Sequence, residues 1–359
     1  MLPLPAGTDF GIYTLLDTLG HGGFAFVYLA RDKQLGRRVC IKEHAPQDIC
    51  EREMGTGEIL PLPGMERAFA ASLADFRREA EVLAALHHPQ VPAIHEIFEA
   101  GGTAYVVTDY AEGSPLPQWL AESADRRRQL PFLLESALRI LQSLHREGVL
   151  HRDIKPSHLI IDAAGRVRLV DFGAAVPAGA RHTPVFTPPY SPPEQNMQGT
   201  AGAWSDLYSL AATFRCVLLG ETPQEALQRL DNDCMRPLAE DASLRSEFAE
   251  TFLRSIDRAL SLLPEERFES AGAWLEALVE KPAPRPVRKW GLVAAIAASA
   301  LAAALATAYL LHEPEKEEAP APSEPEGGLY DPSPEEVRDL QERMLKFVDG
   351  APPLNEQGR

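Results

Sequence analysis

The chain has 359 residues and a hydrophobic share of 45%, enough to bury one large core or two modest ones. Its formal net charge of −17 and its pI near 5.1 argue against a general role in nucleic-acid binding, because a phosphate backbone would repel such a surface. The cysteines at positions 40, 50, 216 and 234 form no close pair of the kind that holds zinc, so a reducing compartment without disulfides is the simpler interpretation.

The first 110 residues predict a β-rich unit. The N-terminus has neither a basic stretch nor a long apolar core, so no signal peptide is expected. Short runs of β-type residues alternate with turns, namely YTLLDTLG, FVYLARD, RRVCIKE and IHEIFEAGGTAYVVTDY. A helix predicted over 75–86 interrupts them and ends before Pro89. Its apolar residues recur at helical spacing: Phe76, Ala80, Leu83 and Leu86.

From residue 116 onward the patterns are mostly helical, as in LLESALRILQSLHREG and SEFAETFLRSIDRALSLL. The sequence therefore predicts an α+β fold in which a small β-rich lobe precedes a larger helical lobe that ends near Val279. The chain contains no internal repeat that would favour a solenoid.

A glycine-rich segment, GHGGFAFV at 20–27, lies between the first two strand patterns. Glycines let a backbone approach phosphate groups closely, and Val27 would cover a base beside them. Alone, such a turn is weak evidence, because most glycine hairpins bind nothing. The residues that would line the nucleotide are Gly20, His21, Gly22, Gly23, Phe24, Ala25 and Val27.

Two charged residues follow in the same unit. Lys42, in VCIK, is spaced to reach the α- and β-phosphates of a nucleotide, although an exposed strand lysine is the simpler interpretation of this residue alone. Glu79 lies early on the predicted helix and is the carboxylate best placed to pair with Lys42, whereas Glu81 points elsewhere on the helical wheel. Both interpretations depend on the ordered set of motifs that follows.

The most informative segments are HRDIKPSHL at 151–159 and VDFG at 170–173. They belong to an ordered series that also contains the glycine-rich segment, VCIK, Glu79, VVTDYAEG, PPE at 192–194, Ser205-Asp206 and LLPEERF with Arg267. Over roughly residues 10–280 this series resembles a bacterial eukaryotic-like (Hanks-type) serine/threonine protein kinase of the single-pass, membrane-anchored type. KEHAPQDICERE, FTPPYSPPEQ and AWSDLYSLAATF also look like a bacterial subgroup with an extended segment between the lysine and the helix.

The resemblance implies a two-lobed protein-kinase fold over residues 1–280 that uses ATP and Mg²⁺. Asp153 would accept the proton of a substrate hydroxyl, and Lys155 would neutralise charge on the transferring phosphoryl group. Lys42 would hold the phosphates and pair with Glu79 in the active state, while Asp171 would bind the magnesium ion that bridges the β- and γ-phosphates. The KP spacing after HRD favours serine or threonine over tyrosine as the acceptor.

Other positions take supporting roles by the same resemblance. The backbone from Asp109 to Ala111 would meet the adenine ring. Thr187 resembles the threonine that braces the catalytic aspartate. Glu194 and Arg267 resemble a buried ion pair that fixes the lower lobe, which is a structural role.

His158 stands where the kinase pattern has a metal-binding asparagine. Magnesium prefers oxygen ligands in tight octahedral geometry, whereas imidazole suits zinc, nickel or, more modestly, manganese. Two interpretations stay open: a kinase with one metal, an altered metal preference such as Mn²⁺ or a lower rate, and a pseudokinase that signals by binding. Because the other motif residues are retained, we favour the kinase.

A membrane segment is predicted near the C-terminus. Residues 290–311 form a 22-residue run without charge, long enough to cross about 30 Å of hydrocarbon at about 1.5 Å per residue. The basic linker 281–289 precedes this run and the acidic HEPEKEE segment follows it, so residues 1–289 are expected in the cytoplasm and the tail outside. A buried alanine-rich helix is the alternative.

Residues 312–359 form an acidic, proline-rich tail with one readable element. SPEE at 333–336 is typical of a capping box and predicts a short helix over 334–348. This helix would be either solvated or a docking element for a periplasmic or membrane partner. The whole sequence thus predicts an inner-membrane kinase that phosphorylates cytoplasmic proteins in signalling, and the alternative is a membrane-tethered, ATP-binding scaffold.

Overall fold

The N-terminal lobe is built on an antiparallel sheet of six strands in the order β1-β2-β3-β4-β8-β7, with a separate hairpin of β5 and β6. The computed structural model describes residues 1–86, 88–173, 175–177, 187–196 and 201–279. The strands of this lobe are β1 Asp9–Phe10, β2 Tyr13–His21, β3 Ala25–Asp32, β4 Arg38–His44, β5 Cys50–Arg52, β6 Ile59–Pro61, β7 Ile94–Ala100 and β8 Thr103–Asp109. The β-type runs predicted from sequence therefore all form strands.

The two faces of this sheet have different tasks because side chains alternate along each strand. On β4, Val39 and Ile41 are fully buried in a core shared with Tyr28 and Tyr105. Lys42 lies on the other face, where its cross-strand partners are Val27 on β3 and Val106 on β8. One face therefore supplies the lobe's main core, and the other lines the space above the second lobe.

The β5–β6 hairpin packs against the core face. Cys50 and Ile59 are buried there with 2% and 1% exposure. The Ile59 amide donates to the Gly101 carbonyl at 2.8 Å, in the turn between β7 and β8. Gly102 has φ of +75°, and an added Cβ would strike the Ile59 carbonyl oxygen, so only glycine fits this close approach.

Helix α1 (Glu66–Ala84) begins nine residues before the predicted start at 75 and ends two residues before the predicted end at 86. The apolar stripe continues backward from Phe76 through Leu73 to Phe69, which is 6% exposed against the sheet core. Alanines lie between these positions and made the helical pattern harder to recognise in the sequence. In the structure the helix extends back to this region because Phe69 is buried against the sheet.

The C-terminal lobe is mainly helical and is linked to the sheet after β8. Its strands are β9 Ser114–Pro115, β10 Val149–Leu150, β11 Leu159–Ile161, β12 Val167–Leu169 and β13 Val176–Pro177. Its helices are α2 Leu116–Ala121, α3 Leu130–Arg146, α4 Pro193–Asn196, α5 Ala203–Leu219, α6 Ala226–Asp231, α7 Ala242–Glu247, α8 Glu250–Ala259 and α9 Ala271–Val279. Most residues of α5 are buried, so this helix is the axis of the lobe. The predicted two-lobed architecture is confirmed.

A buried ion pair stabilises the base of the second lobe, as predicted. Arg267 donates to both carboxylate oxygens of Glu194, at 2.7 and 3.1 Å, and neither side chain is exposed. Further donors and acceptors complete the pair, including the Ser205 hydroxyl on Glu194, so the buried charges remain satisfied.

Within the described ranges, no helix combines the length and apolar character that crossing a bilayer demands. The linker 281–289, the apolar run 290–311 and the tail with its predicted helix 334–348 all lie outside those ranges.

Candidate active site

Asp153 lies between the lobes, in the loop that follows β10 and precedes a short 3₁₀ helix, Pro156–His158. One carboxylate oxygen accepts from the Thr187 hydroxyl at 2.7 Å, and the other accepts from Lys155 Nζ at 2.8 Å. The Asp153 side chain keeps 14% exposure. The carboxylate is therefore fixed in orientation and still open to a ligand, and the predicted contact between Thr187 and the catalytic loop is present.

The backbone before Asp153 is strained and clamped. Arg152 has φ of +66°, a conformation that costs a non-glycine residue about 1–2 kcal/mol. The Asp206 carboxylate on α5 accepts from the amides of Arg152 at 2.7 Å and His151 at 2.9 Å, and Gln195 donates to the Arg152 carbonyl at 2.6 Å. These hydrogen bonds hold the loop in the conformation that presents Asp153.

Sequence reasoning missed His145 on α3. Its Nε2 lies 2.8 Å from an Asp206 carboxylate oxygen. Burial alone would raise the pKa of Asp206, but the hydrogen bond and charge of His145 hold it below its usual value. Nothing in the local pattern of α3 marks this histidine, because the contact joins residues 61 positions apart.

Lys42 reaches across the cleft to the second lobe. Its Nζ lies 2.9 Å from Asp171 Oδ1. Burial alone would lower the pKa of Lys42, but the carboxylates of Asp171 and Glu79 raise it, so the amine stays charged. Gly173 makes room for this contact, because an added Cβ there would strike the ammonium group. The structure thus brings Lys42 and Asp171 together as an ion pair across the cleft.

Glu79 lies close to this pair without joining it. Among the described residues, no ion pair links Glu79 to Lys42 within 4.0 Å. Burial raises the pKa of Glu79 to about 7, and Lys42 only partly offsets this effect. The Lys42–Glu79 pairing expected for the active state is therefore not the arrangement here, where the ammonium contacts Asp171.

His158 is oriented by the backbone of the catalytic loop. Its Nδ1 lies 2.7 Å from the Asp153 carbonyl oxygen, which can only accept, so Nδ1 carries the proton. In the neutral ring Nε2 then keeps its lone pair, and it lies 3.3 Å from Asp171 Oδ2. An asparagine side chain offers an NH₂ donor group and a carbonyl oxygen acceptor, so the imidazole here keeps a donor and replaces the oxygen acceptor with nitrogen.

The residues around His158 fit a divalent cation. Asp153, His158 and Asp171 each offer a ligand atom, and these atoms lie within 4.8 Å of one another. Burial would raise the pKa of Asp171, yet the charge of Lys42 holds it well below its usual value, so the carboxylate is ionised. One imidazole with carboxylates suits Mn²⁺ or Zn²⁺ better than a set of oxygens alone, although Asp171 remains a good magnesium ligand.

The glycine-rich segment lies at the β2–β3 turn above these residues. None of Gly20, Gly22 and Gly23 has positive φ, and an added Cβ at any of them would meet nothing within 4 Å. The fold itself therefore does not require glycine at these positions, which is consistent with space kept for a ligand. Phe24 at the tip is 58% exposed, whereas Ala25 is 8% exposed.

The remaining predicted residues lie on the sheet face above the cleft and at the end of β8. Val27 is directly opposite Lys42, and Cys40 is opposite Thr108, all on the face that looks toward the second lobe. Asp109 ends β8, and its carboxylate is turned to His95 Nε2 at 2.8 Å. The Asp109 side chain is therefore engaged within the lobe, and its amide donates to the Ala93 carbonyl at 3.0 Å.

A β-rich lobe over a helical lobe, with a lysine, two aspartates and a glycine-rich turn between them, defines the class of protein kinases. The chain belongs to the protein kinase domain family, which it matches over residues 13–280.

Bacterial kinases are among the relatives of this chain. It is 30% identical over 286 residues to serine/threonine-protein kinase PknB of Mycobacterium tuberculosis, an alignment that covers 74% of this chain and 42% of that protein. It is 31% identical over 281 residues to serine/threonine-protein kinase C of Synechocystis, covering 74% and 49%. The chain thus matches less than half the length of these relatives.

Solved structures similar to this one include two kinases. The apo form of PpkA-294 superposes with a TM-score of 0.68 at 30% identity, covering 77% of this chain and 99% of that one. The kinase domain of Mycobacterium tuberculosis PknI has a TM-score of 0.55 at 24% identity, a likeness that bears on the fold alone.

Proposed function

We propose that this chain transfers the γ-phosphate of ATP to serine or threonine hydroxyls of cytoplasmic proteins. The observation that carries the proposal is the arrangement of Asp153, whose two oxygens are held by Lys155 and Thr187 while the carboxylate stays accessible. A carboxylate so oriented can accept a hydrogen bond from an incoming hydroxyl and take its proton. The relatives that carry the name serine/threonine-protein kinase support the same reaction.

In this proposal the chain acts mainly by positioning and by charge. Asp153 orients the substrate hydroxyl and accepts its proton as the new O–P bond forms and the bond between the γ-phosphorus and the oxygen of the leaving ADP breaks. Lys155, 2.8 Å from Asp153, offsets negative charge on the phosphoryl group in transfer. Lys42 holds the α- and β-phosphates once it leaves Asp171, and Glu79 is the carboxylate within electrostatic reach to receive it. The backbone from Asp109 to Ala111 would bind adenine.

A divalent cation would be held by Asp171 and by Nε2 of His158, and it would neutralise charge on the phosphates of ATP. Mg²⁺ is the expected ion, and Mn²⁺ is the alternative that an imidazole ligand favours.

A second candidate function is a nucleotide-binding scaffold without phosphotransfer. The presence of His158 at the metal position and the closed Lys42–Asp171 ion pair favour it, because imidazole is a weaker magnesium ligand than an amide oxygen and the Lys42 ammonium occupies the carboxylate that would bind the metal. Such a protein would signal by presenting a nucleotide-dependent surface to a partner.

Incorporation of labelled phosphate from ATP separates the two candidates. The full chain is incubated with a generic Ser/Thr acceptor in Mg²⁺ and in Mn²⁺, beside the Asp153→Asn variant. Transfer by the wild type that is lost in the variant supports the kinase. ATP binding with no transfer in either metal supports the scaffold.

We further propose that a span at 290–311 anchors the chain in the inner membrane. The support is the uncharged run of 22 residues between the basic linker 281–289 and the acidic segment that follows. Residues 1–289 would then lie in the cytoplasm, and residues 312–359 would offer the predicted helix 334–348 to a periplasmic or membrane partner.

Reporter fusions test this orientation. A reporter that works only outside the cytoplasm should be active when fused after residue 359. The same reporter fused after residue 289 is the matched control and should be inactive. Activity of a cytoplasmic reporter at the full-length C-terminus would contradict the proposed span or its direction.

A further inference from the structure

The turn that carries the glycine-rich segment is tied to the chain just after β4. Three successive carbonyls of the turn accept hydrogen bonds from Ala45 and Gln47. The Ala45 amide donates to Phe24 at 2.9 Å, and the Gln47 amide donates to Gly23 at 2.8 Å. The Gln47 side chain donates through Nε2 to Gly22 at 2.9 Å. We call residues 45–47 the brace.

These contacts fix the directions of the peptide planes in the turn. In a trans peptide the N–H points opposite to the preceding C=O, and the described chain contains no cis bond. Because the carbonyls of Gly22 and Gly23 point to the brace, the amides of Gly23 and Phe24 point away from it. Neither amide donates to any residue in the described part of the chain. The turn thus presents two free donors to a ligand.

The brace has a rigid base. Its Pro46 carbonyl accepts from the amides of Ile49 and Cys50, both at 3.1 Å, and this turn leads into β5. From β5, Arg52 donates to both carboxylate oxygens of Glu43, at 3.1 and 2.6 Å. The Glu43 side chain is fully buried on the strand that carries Lys42. The brace therefore connects the glycine-rich turn to the same strand that holds the phosphate-binding lysine.

We propose that Gln47 is a positioning residue that presets the glycine-rich turn for the phosphates of ATP. The inference rests on the proposed nucleotide binding and adds the group that orders the loop before the nucleotide arrives. A loop that is already ordered loses less conformational freedom on binding, so the brace should tighten ATP binding without altering the chemical step.

Gln47→Ala removes the side-chain hydrogen bond and leaves the backbone bonds of the brace. Hydrogen–deuterium exchange of the full chain without nucleotide should be faster within residues 20–26, at hydrogen-bonded amides such as that of Gly22, which donates to Ala25, and unchanged in α1. The KM for ATP should rise roughly three- to tenfold, the range expected for one lost hydrogen bond, while kcat stays within about twofold. If Gln47 were needed only for folding, Gln47→Ala would lower the fraction of active protein and hence the apparent kcat, and the KM for ATP would not change.

Two further variants sharpen the test. In Gln47→Glu the side chain keeps its length but cannot donate to Gly22, so the effect should equal or exceed that of alanine. Asp48→Ala is the matched control, since Asp48 is the exposed neighbour and should behave as wild type in both measurements. Wild-type exchange and KM in both Gln47 variants, or equal changes in Asp48→Ala, would overturn the proposal.

The exchange measurement does not require phosphotransfer. If the wild type proves inactive, the proposed reaction fails, and the dissociation constant for ATP replaces KM. Faster exchange at 20–26 in the Gln47 variants still supports the brace in that case. Unchanged exchange contradicts it whatever the activity.

Discussion

Strand β4 carries two neighbouring charged residues in opposite environments. Glu43 faces the hairpin with no exposure, and its carboxylate accepts from two tyrosine hydroxyls at 2.7 Å and from Arg52. Lys42 faces the cleft with 21% exposure, and its partner Asp171, 35% exposed, belongs to the other lobe. One residue is enclosed by its own lobe, and the next depends on a contact between lobes.

The difference indicates on which face of β4 a charged side chain can exchange its partner. A buried carboxylate with four donors cannot exchange a partner without leaving buried charge unpaired. A partly hydrated ion pair can exchange at small cost, because water replaces part of the lost contact. Glu79 already lies within electrostatic reach of Lys42. The hairpin face therefore supports the strand, and the cleft face is free to rearrange when a nucleotide binds.

The largest expected effect concerns Lys42, on the cleft face of β4, where the ion pair can exchange its partner. Lys42→Met should reduce phosphotransfer by about a thousandfold or more, because positioning and charge stabilisation supply most of the catalysis. The free energy of unfolding should change by about 1 kcal/mol or less, since the pair is partly exposed. Initial rates and urea denaturation measure both. Lys33→Met, at a surface pair with Asp9, is the control, and a wild-type rate for Lys42→Met would refute the assignment.

On the enclosed face the same type of change should affect stability. Glu43→Ala leaves Arg52 and two tyrosine hydroxyls without their acceptor, so the free energy of unfolding should fall by about 3–5 kcal/mol. Urea denaturation measures this loss, and Glu51→Ala on the exposed side of β5 is the matched control. Adding Arg52→Met should recover part of the loss, because the unpaired charge is removed. Additive effects of the two changes would contradict the pairing.

Much of this arrangement could be predicted from the sequence, and the reason is local. Alternation along VCIK places Lys42 opposite the buried face, and the order of motifs brings Asp153 and Asp171 to one cleft. The Glu194–Arg267 pair also followed from the motif order. These features depend on residue type and strand period, which a single sequence contains.

The features that the sequence did not predict depend on contacts between residues that are far apart in the chain. The sequence predicted Glu79 as the partner of Lys42, whereas in the structure Lys42 contacts Asp171, which lies 129 positions along the chain in the other lobe. The brace was missed because Gln47 is an ordinary polar residue whose contact lies 25 positions back in the chain. The only indication in the sequence was the resemblance of KEHAPQDICERE to an extended segment, which predicts the length of that segment but none of its contacts.

His44, next to Glu43, should make stability depend on pH. It is 2% exposed between Ser72 and Thr103, and burial lowers its pKa to about 4. The unfolded chain binds a proton below about pH 6.5 while the folded chain does not, so stability is present above that pH and falls as pH drops toward 4. The loss should be at most about 3 kcal/mol. Urea denaturation at pH 7 and 5 should show a steeper fall than in His44→Gln, and equal slopes would contradict this.

The smallest expected effect concerns the ligand that departs from the kinase pattern. His158→Asn keeps a donor for the Asp153 carbonyl and replaces the Nε2 acceptor with an oxygen, which magnesium prefers. The rate in Mg²⁺ should rise by up to about tenfold, equivalent to about 1.4 kcal/mol of activation free energy. The ratio of the rate in Mn²⁺ to the rate in Mg²⁺ should fall. Initial rates in each metal measure this, with the exposed neighbour variant Ser157→Ala as control. Equal rates and metal preference in both proteins would show that His158 does not ligate the metal. Inactivity of both proteins in either metal would favour the scaffold.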